Sequence, residues 1–411
     1  MPSFVTHLES AIDGTRLEAR RIQTMHADRP LWVRYDLDRV REAVSPDQFA
    51  SRVSSMWRYR ELMPVEDEAS IVTLGEGMTP LLKCERLGHH LGLRDLWIKD
   101  ESQLPTGSFK ARGLAAAVTM AASFGIKRMA IPTAGNAGGA LAAYASRAGI
   151  ESFVFVPVDT PIVNQFETVQ LGARVFRVDG VITDCGKIVG QGKERVGWFD
   201  VSTLKEPYRI EGKKTMGLEI AEQFGWRLPD VIVYPTGGGT GLIGMWKAFH
   251  ELRELGWLAS ENMPRMVSVQ SDGCCPVVRA FEAGERFCTF FENARTIAMG
   301  LRVPAAVGDF MILDAIRESS GIAIAVSESE ILDWMKLGAS MEGISTGPET
   351  AACIGAIEEL SSNGWIGENE RVVLFNCGAL QKNVDLFDGV IPMFNPENEA
   401  DWELLTRKCL P

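Results

Sequence analysis

The chain has 411 residues, is 46% hydrophobic and carries a formal net charge of −12. That length supports two domains plus an extension, and that charge argues against general attraction to nucleic acid or an anionic membrane. The eight cysteines follow no framework and include no C-x-x-C, which disfavours a zinc ribbon and suits reduced thiols in a cytosol.

The first residues, MPSFVTHLESAIDG, lack a basic region ahead of an apolar run, so no signal peptide is expected. The stretch from Gly113 to Ile126 is too short to span a bilayer. Residues 1 to about 70 read as a polar, mostly helical extension. Within it Phe49, Val53, Met56 and Trp57 recur at roughly helical spacing. From Leu74 the pattern changes to short apolar runs alternating with Ala-rich stretches. The runs Leu96–Lys99, Arg128–Pro132, Phe153–Val158, Ala173–Val178, Val231–Tyr234, Met266–Val269 and Arg371–Phe375 are expected strands. Helices are expected between most of them, including Ala140–Arg147 and Leu242–Leu252. The alternation predicts an α/β fold whose mostly parallel open sheets are flanked by helices. Such sheets bind ligands beyond the carboxyl ends of their strands.

Four constellations follow strands or open helices. Pro105-Thr-Gly-Ser108-Phe109-Lys110 precedes a small-residue helix. A lysine desolvated there has the lowered pKa that imine formation needs, although a solvated surface lysine shows the same spacing. Thr133-Ala134-Gly135-Asn136-Ala137 joins a strand to a helix, where free N–H groups hold a carboxylate or phosphate. Gly237-Gly238-Gly239-Thr240-Gly241 does likewise and suggests a phosphate cradle. It is not the dinucleotide fingerprint, because Leu242 stands at the last glycine position and the strand comes late in the chain. Asn376, at the end of the strand from Arg371, is a polar group suited to a ring nitrogen.

Together these segments, with Leu74-Gly-Glu-Gly-Met-Thr-Pro80 and Glu211-Gly-Lys-Lys-Thr215, resemble the fold-type II pyridoxal phosphate (PLP) enzymes and, within them, the threonine synthases. The resemblance runs from about Leu74 to Leu380. It implies PLP held as a Schiff base on Lys110 beside Phe109, its phosphate in Gly237–Gly241, its ring hydroxyl at Asn136 and its ring nitrogen at Asn376. Ser108, the loop Thr133–Ala137, Lys205 and Arg209 would bind the substrate amino acid, and Arg209 its phosphate. Leu204 stands where the family often has Ser. The implied organisation is a zinc-free extension at 1–70, a large PLP-binding domain from 71–113 and 211–390, a small mobile domain at 114–210 and a tail at 391–411. The implied activity is that of a PLP-dependent lyase converting O-phosphohomoserine and water to threonine and phosphate, in a cytoplasmic homodimer. Beta-elimination or beta-replacement on another hydroxy, amino or phosphorylated amino acid would use the same site. A binding protein without turnover is the reading from another class, and Lys110 beside three loops argues against it.

Overall fold

The computed structural model describes residues 3–387, 389, 391 and 393–406. The extension opens with an antiparallel sheet of β1 (Val5–Ser10), β2 (Arg16–Leu17) and β3 (Leu31–Tyr35), in the order β2-β1-β3. A short helix α1 (Leu37–Ala43) follows, capped by the Asp36 carboxylate. The helical spacing from Phe49 to Trp57 is instead met by two 3-10 segments, Pro46–Ser51 and Met56–Leu62. The mostly helical reading of the extension is therefore corrected. Leu31 and Val33 alternate with less buried neighbours, which is the period of a half-buried strand. Phe49 and Met56 are buried as expected, but Val53 lies in the extended break between the segments and is 82% exposed.

Two larger sheets follow. The first contains β4 (Leu81–Lys83) and, after helix α2 (Glu85–His90), β5 (Asp95–Asp100). Helix α3 (Lys110–Ser123) then crosses to the second sheet, built from β6 (Arg128–Pro132), β7 (Glu151–Pro157), β8 (Arg174–Val178) and β9 (Phe199–Asp200). Between these strands lie α4 (Asn136–Ala148), α5 (Ile162–Gln170) and α6 (Ile182–Arg195). Helix α7 (Tyr208–Gln223) returns the chain to the first sheet. That sheet is completed by β10 (Val231–Pro235), α8 (Thr240–Glu254), β11 (Arg265–Ser271), β12 (Ile322–Val326) and β13 (Arg371–Asn376). The first sheet has the order β12-β11-β10-β13-β5-β4 and is parallel except for the β4 edge. The second has the order β8-β7-β6-β9 and is parallel throughout.

All seven expected strands are present, with ends within two residues. β10 and β13 are buried almost end to end, which is why they read as continuous apolar runs. Helices α3 and α7, and α7 and α8, pack together, and a buried charge network ties α3 and α7 to the first sheet. Arg112 on α3 donates to Glu101 (Nε 2.6 Å, Nη2 2.8 Å) and to Glu219 on α7 (Nη1 2.6 Å), while Lys99 on β5 reaches Glu219 at 2.9 Å. All four side chains are fully buried. Part of the expected tail at 391–411 lies outside the described residues.

Candidate active site

Loops leaving β6 and β10, together with the end of β13, converge on a cavity of about 570 Å³. Lys110 reaches its wall through a tight turn. Thr106 and Gly107 both adopt left-handed backbone, at φ 61° and 59°. The Phe109 N–H donates to the Cys377 carbonyl (3.1 Å), and the Ala379 N–H to the Gly107 carbonyl (2.9 Å), so the turn is tied to the segment after β13. The Lys110 amine lies 3.8 Å from the centre of the Phe109 ring. Burial lowers that amine to about 8, because a desolvated ammonium is disfavoured.

The loop after β6 contributes Thr133, Ala134, Gly135, Asn136 and Ala137 to the wall. The Thr133 hydroxyl accepts from the Gly135 N–H at 3.0 Å. Gly135, at φ 150° and ψ −110°, takes a conformation suited to glycine, and α4 begins at the next residue. The first N–H groups of a helix have no intrahelical acceptor and point at whatever lies beyond its end. After β10 the wall is Gly237 to Gly241. A Cβ at Gly237 would stand 2.3 Å from the Gly300 carbonyl oxygen, and one at Gly238 2.8 Å from Thr203 Cγ2. Gly239 is left-handed at φ 74° and caps α8. The cradle is therefore open only because it lacks side chains.

Arg209, in the first turn of α7, is 1% exposed and lines the cavity. Its Nη1 donates to the Val201 carbonyl at 2.8 Å, but its Nε has no hydrogen-bond partner, and it forms no ion pair among the described residues. The nearby Glu206 carboxylate is occupied with the N–H groups of Tyr208 (2.8 Å) and Arg209 (3.1 Å). Lys205 is also on the wall, 3.5 Å from Asp200. Leu204 adopts φ 62° and turns into the core, while its neighbours Thr203 and Lys205 face the cavity.

Two expected site residues are not on the wall. Ser108 is fully buried beside Gly378, its hydroxyl without a partner. Asn376 donates to Asp100 (2.8 Å) and to the Ser345 carbonyl (2.9 Å), and accepts from Thr350 (2.7 Å). The Asn376 amide is thus engaged by partners inside the protein, and Asn376 is not among the residues lining the cavity. Successive residues of a strand face opposite ways, so the next residue, Cys377, is the one on the wall. Burial pushes its thiol up to about 12, so it stays protonated. Sequence reasoning also missed Asn164, Lys187 and Arg302. These line the cavity from α5, α6 and the segment before helix Asp309–Glu318, and no motif marks them. The wall carries Lys110, Lys187, Lys205, Arg209 and Arg302 against a single carboxylate, Glu349. Three of these cations have carboxylate partners just off the wall, Lys187 with Asp184 (2.9 Å), Lys205 with Asp200 (3.5 Å) and Arg302 with Asp159 (2.7 Å).

Residues 72–378 match the family of pyridoxal-phosphate dependent enzymes. The chain belongs to that family. It is similar to threonine synthase from Methanocaldococcus jannaschii, with 35% identity covering 85% of this chain and 86% of the relative. Threonine synthase from Methanosarcina acetivorans is 36% identical, covering 85% of each chain, and that of Mycobacterium tuberculosis 32%, covering 82% and 91%. Among solved structures, a T.th. threonine deaminase superposes with a TM-score of 0.62 at 26% identity, over 73% of this chain and 92% of that one. Maize serine racemase shares the fold, with a TM-score of 0.66 at 21% identity, over 80% and 94%. The wall fits the family's cofactor. It offers a lysine amine with lowered pKa, a side-chain-free helix end for a phosphate, and buried Asn136 Oδ1 and Asn164 Oδ1 atoms that have no partner.

Proposed function

We propose that the chain converts O-phosphohomoserine and water to threonine and phosphate, using PLP carried on Lys110. The observation that carries this reading is Arg209, a buried guanidinium on the cavity wall without an ion pair. A buried cation whose nearest carboxylates, Glu206 and Asp200, form no direct ion pair with it is held more favourably when an anion arrives, and the glycine cradle already provides for the cofactor's phosphate. A second anion site therefore belongs to the substrate. The relatives named threonine synthase support the same reaction.

In this reading the cofactor supplies an electron sink for a carbanion at the substrate's alpha carbon. The protein does the rest. The Lys110 amine, free of its proton above a pH of about 8, anchors the cofactor and moves the alpha and beta protons. The N–H groups at Asn136 and Ala137 hold the substrate carboxylate. Arg209 and Lys205 bind the phosphate and stabilise it as it leaves. Cys377, a neutral thiol on the wall, would be available to the cofactor's ring where Asn376 is not. Residues 114–210 act as the smaller, movable domain. A cytoplasmic homodimer is the proposed working form, and the seven free cysteines among the described residues suit a reducing compartment. No helix among the described residues is long and apolar enough to cross a membrane.

The deciding experiment incubates purified holoenzyme with O-phosphohomoserine and measures threonine and phosphate together. Equimolar release is expected. Formation of a 2-oxo acid from serine or threonine, with no threonine from the phosphorylated substrate, would instead establish beta-elimination.

A further inference from the structure

Lys213 on α7 is used by none of the chemistry above. It is fully buried and forms no ion pair among the described residues. Its Nζ donates to the Phe109 carbonyl and lies 4.1 Å from the centre of the Phe109 ring, the same ring that the Lys110 amine approaches. Glycines clear its path. A Cβ at Gly113 would stand 3.0 Å from Lys213 Cε, and one at Gly244 2.9 Å from Lys213 Cβ. A Cβ at Gly212 would stand 2.1 Å from the Arg112 carbonyl oxygen, so α3 and α7 touch at backbone distance beside it. After burial, the strongest charge influences on the amine come from Lys110 and Arg209, which oppose its proton, then Glu101, which favours it, and Arg112, which opposes it. Burial first, then those cations, hold the amine well below its usual range. An apolar side chain of similar length would avoid this desolvation. Buried groups retained against such a cost concentrate at functional sites.

We propose that Lys213 is a positioning residue for Lys110: by donating to the Phe109 carbonyl it fixes the peptide and the ring against which the Lys110 amine is set. The Cys377 carbonyl holds the N–H side of Phe109 and Lys213 holds its carbonyl side. The reacting amine is thereby anchored from both the segment after β13 and helix α7. This inference rests on Lys110 being the cofactor lysine.

Holoenzymes carrying Lys213→Met and Lys213→Gln test it. Three readouts apply: the visible absorbance of the bound cofactor across pH, the separate values of kcat and KM, and borohydride reduction with peptide mapping. Lys213→Met should shift the pH midpoint of the visible band and lower kcat about tenfold to a hundredfold with KM little changed, the scale of loss from a misplaced reacting group. Lys213→Gln keeps an N–H donor without a titrating amine and should restore both toward the parent. A Met variant with the parent's band and kcat would overturn the proposal, as would equal losses in both variants. If the Met variant does not fold, Lys213→Ala replaces it as the donor-free variant: a parent-like band and kcat overturn the proposal, and a shift that Lys213→Gln restores supports it. A borohydride label on another lysine defeats the underlying site. A label on Lys110 with an unchanged band in the donor-free variant defeats only the role of Lys213.

Discussion

At the scale of single residues, the two anion sites are separable by mutation. Lys110→Ala should abolish turnover yet leave some cofactor bound, because the Gly237–Gly241 cradle is built independently on α8. Gly239→Val should instead weaken cofactor retention itself. Its Cβ would meet Ile312 at 2.3 Å, on a backbone at φ 74° that valine rarely adopts, so cofactor should be lost on dialysis. Absorbance before and after dialysis reads both outcomes. Arg209→Ala should cost about 2–4 kcal/mol, roughly a hundredfold in kcat/KM, with the phosphorylated substrate. Lys at that position should recover part of the loss, and an unphosphorylated analogue should be affected less. Equal losses on both substrates would make Arg209 structural. Residues on the glycine loops were legible because backbone freedom shows in composition. Asn376 against Cys377 was not, since a one-residue difference at a strand end depends on register. Asn164 and Arg302 reach the cavity from segments whose own sequence carries no ligand signal.

Elements explain the pH behaviour. Helix α7 begins under Glu206, whose carboxylate receives its first N–H groups. Burial raises that carboxyl from 4.5 to about 7. Below pH 4.5 folded and unfolded chains both hold the proton. Between 4.5 and about 7 only the unfolded chain releases it, so stability should fall as pH rises across that window. Glu206→Gln should flatten the fall, which thermal melts at about pH 5 and about pH 7 would measure; an unchanged slope would exclude Glu206 as its source. Central strands such as β10 and β13 were legible because burial on both faces leaves unbroken apolar runs. The short β4 and β9, the edge strand β12 and the N-terminal sheet escaped notice. There, partial burial and turns replace the signal, and helical spacing between Phe49 and Trp57 is met by two 3-10 segments.

Across the whole molecule, two ion pairs tie segments of the second sheet's half to segments of the first, one of them at the cavity's edge. Arg302 grips Asp159 through two bonds of 2.7 and 3.0 Å, and Lys382 grips Glu167. The Arg302–Asp159 pair is partly exposed, so Asp159→Asn should cost at most about 1 kcal/mol of stability. It should nonetheless speed cofactor loss, by loosening the cover of the site. Unchanged retention in a filtration assay would show that the pair does not hold the cavity shut.

The Lys99, Glu101, Arg112 and Glu219 network has a consequence for how this protein can change over time. Removing one member strands a partner charge in the interior, at a cost of about 3–5 kcal/mol, whereas replacing charges together by apolar groups can be nearly neutral. Neighbouring sequences in mutational space are therefore cut off unless several positions change at once. Glu219→Gln alone should lower the melting temperature sharply, and adding Lys99→Met should recover part of the loss. If the double variant were no better than the single, the four side chains would be independent. If it is better, the network is an epistatic lock that holds the framework beneath the site in place while residues on the cavity wall remain free to diverge.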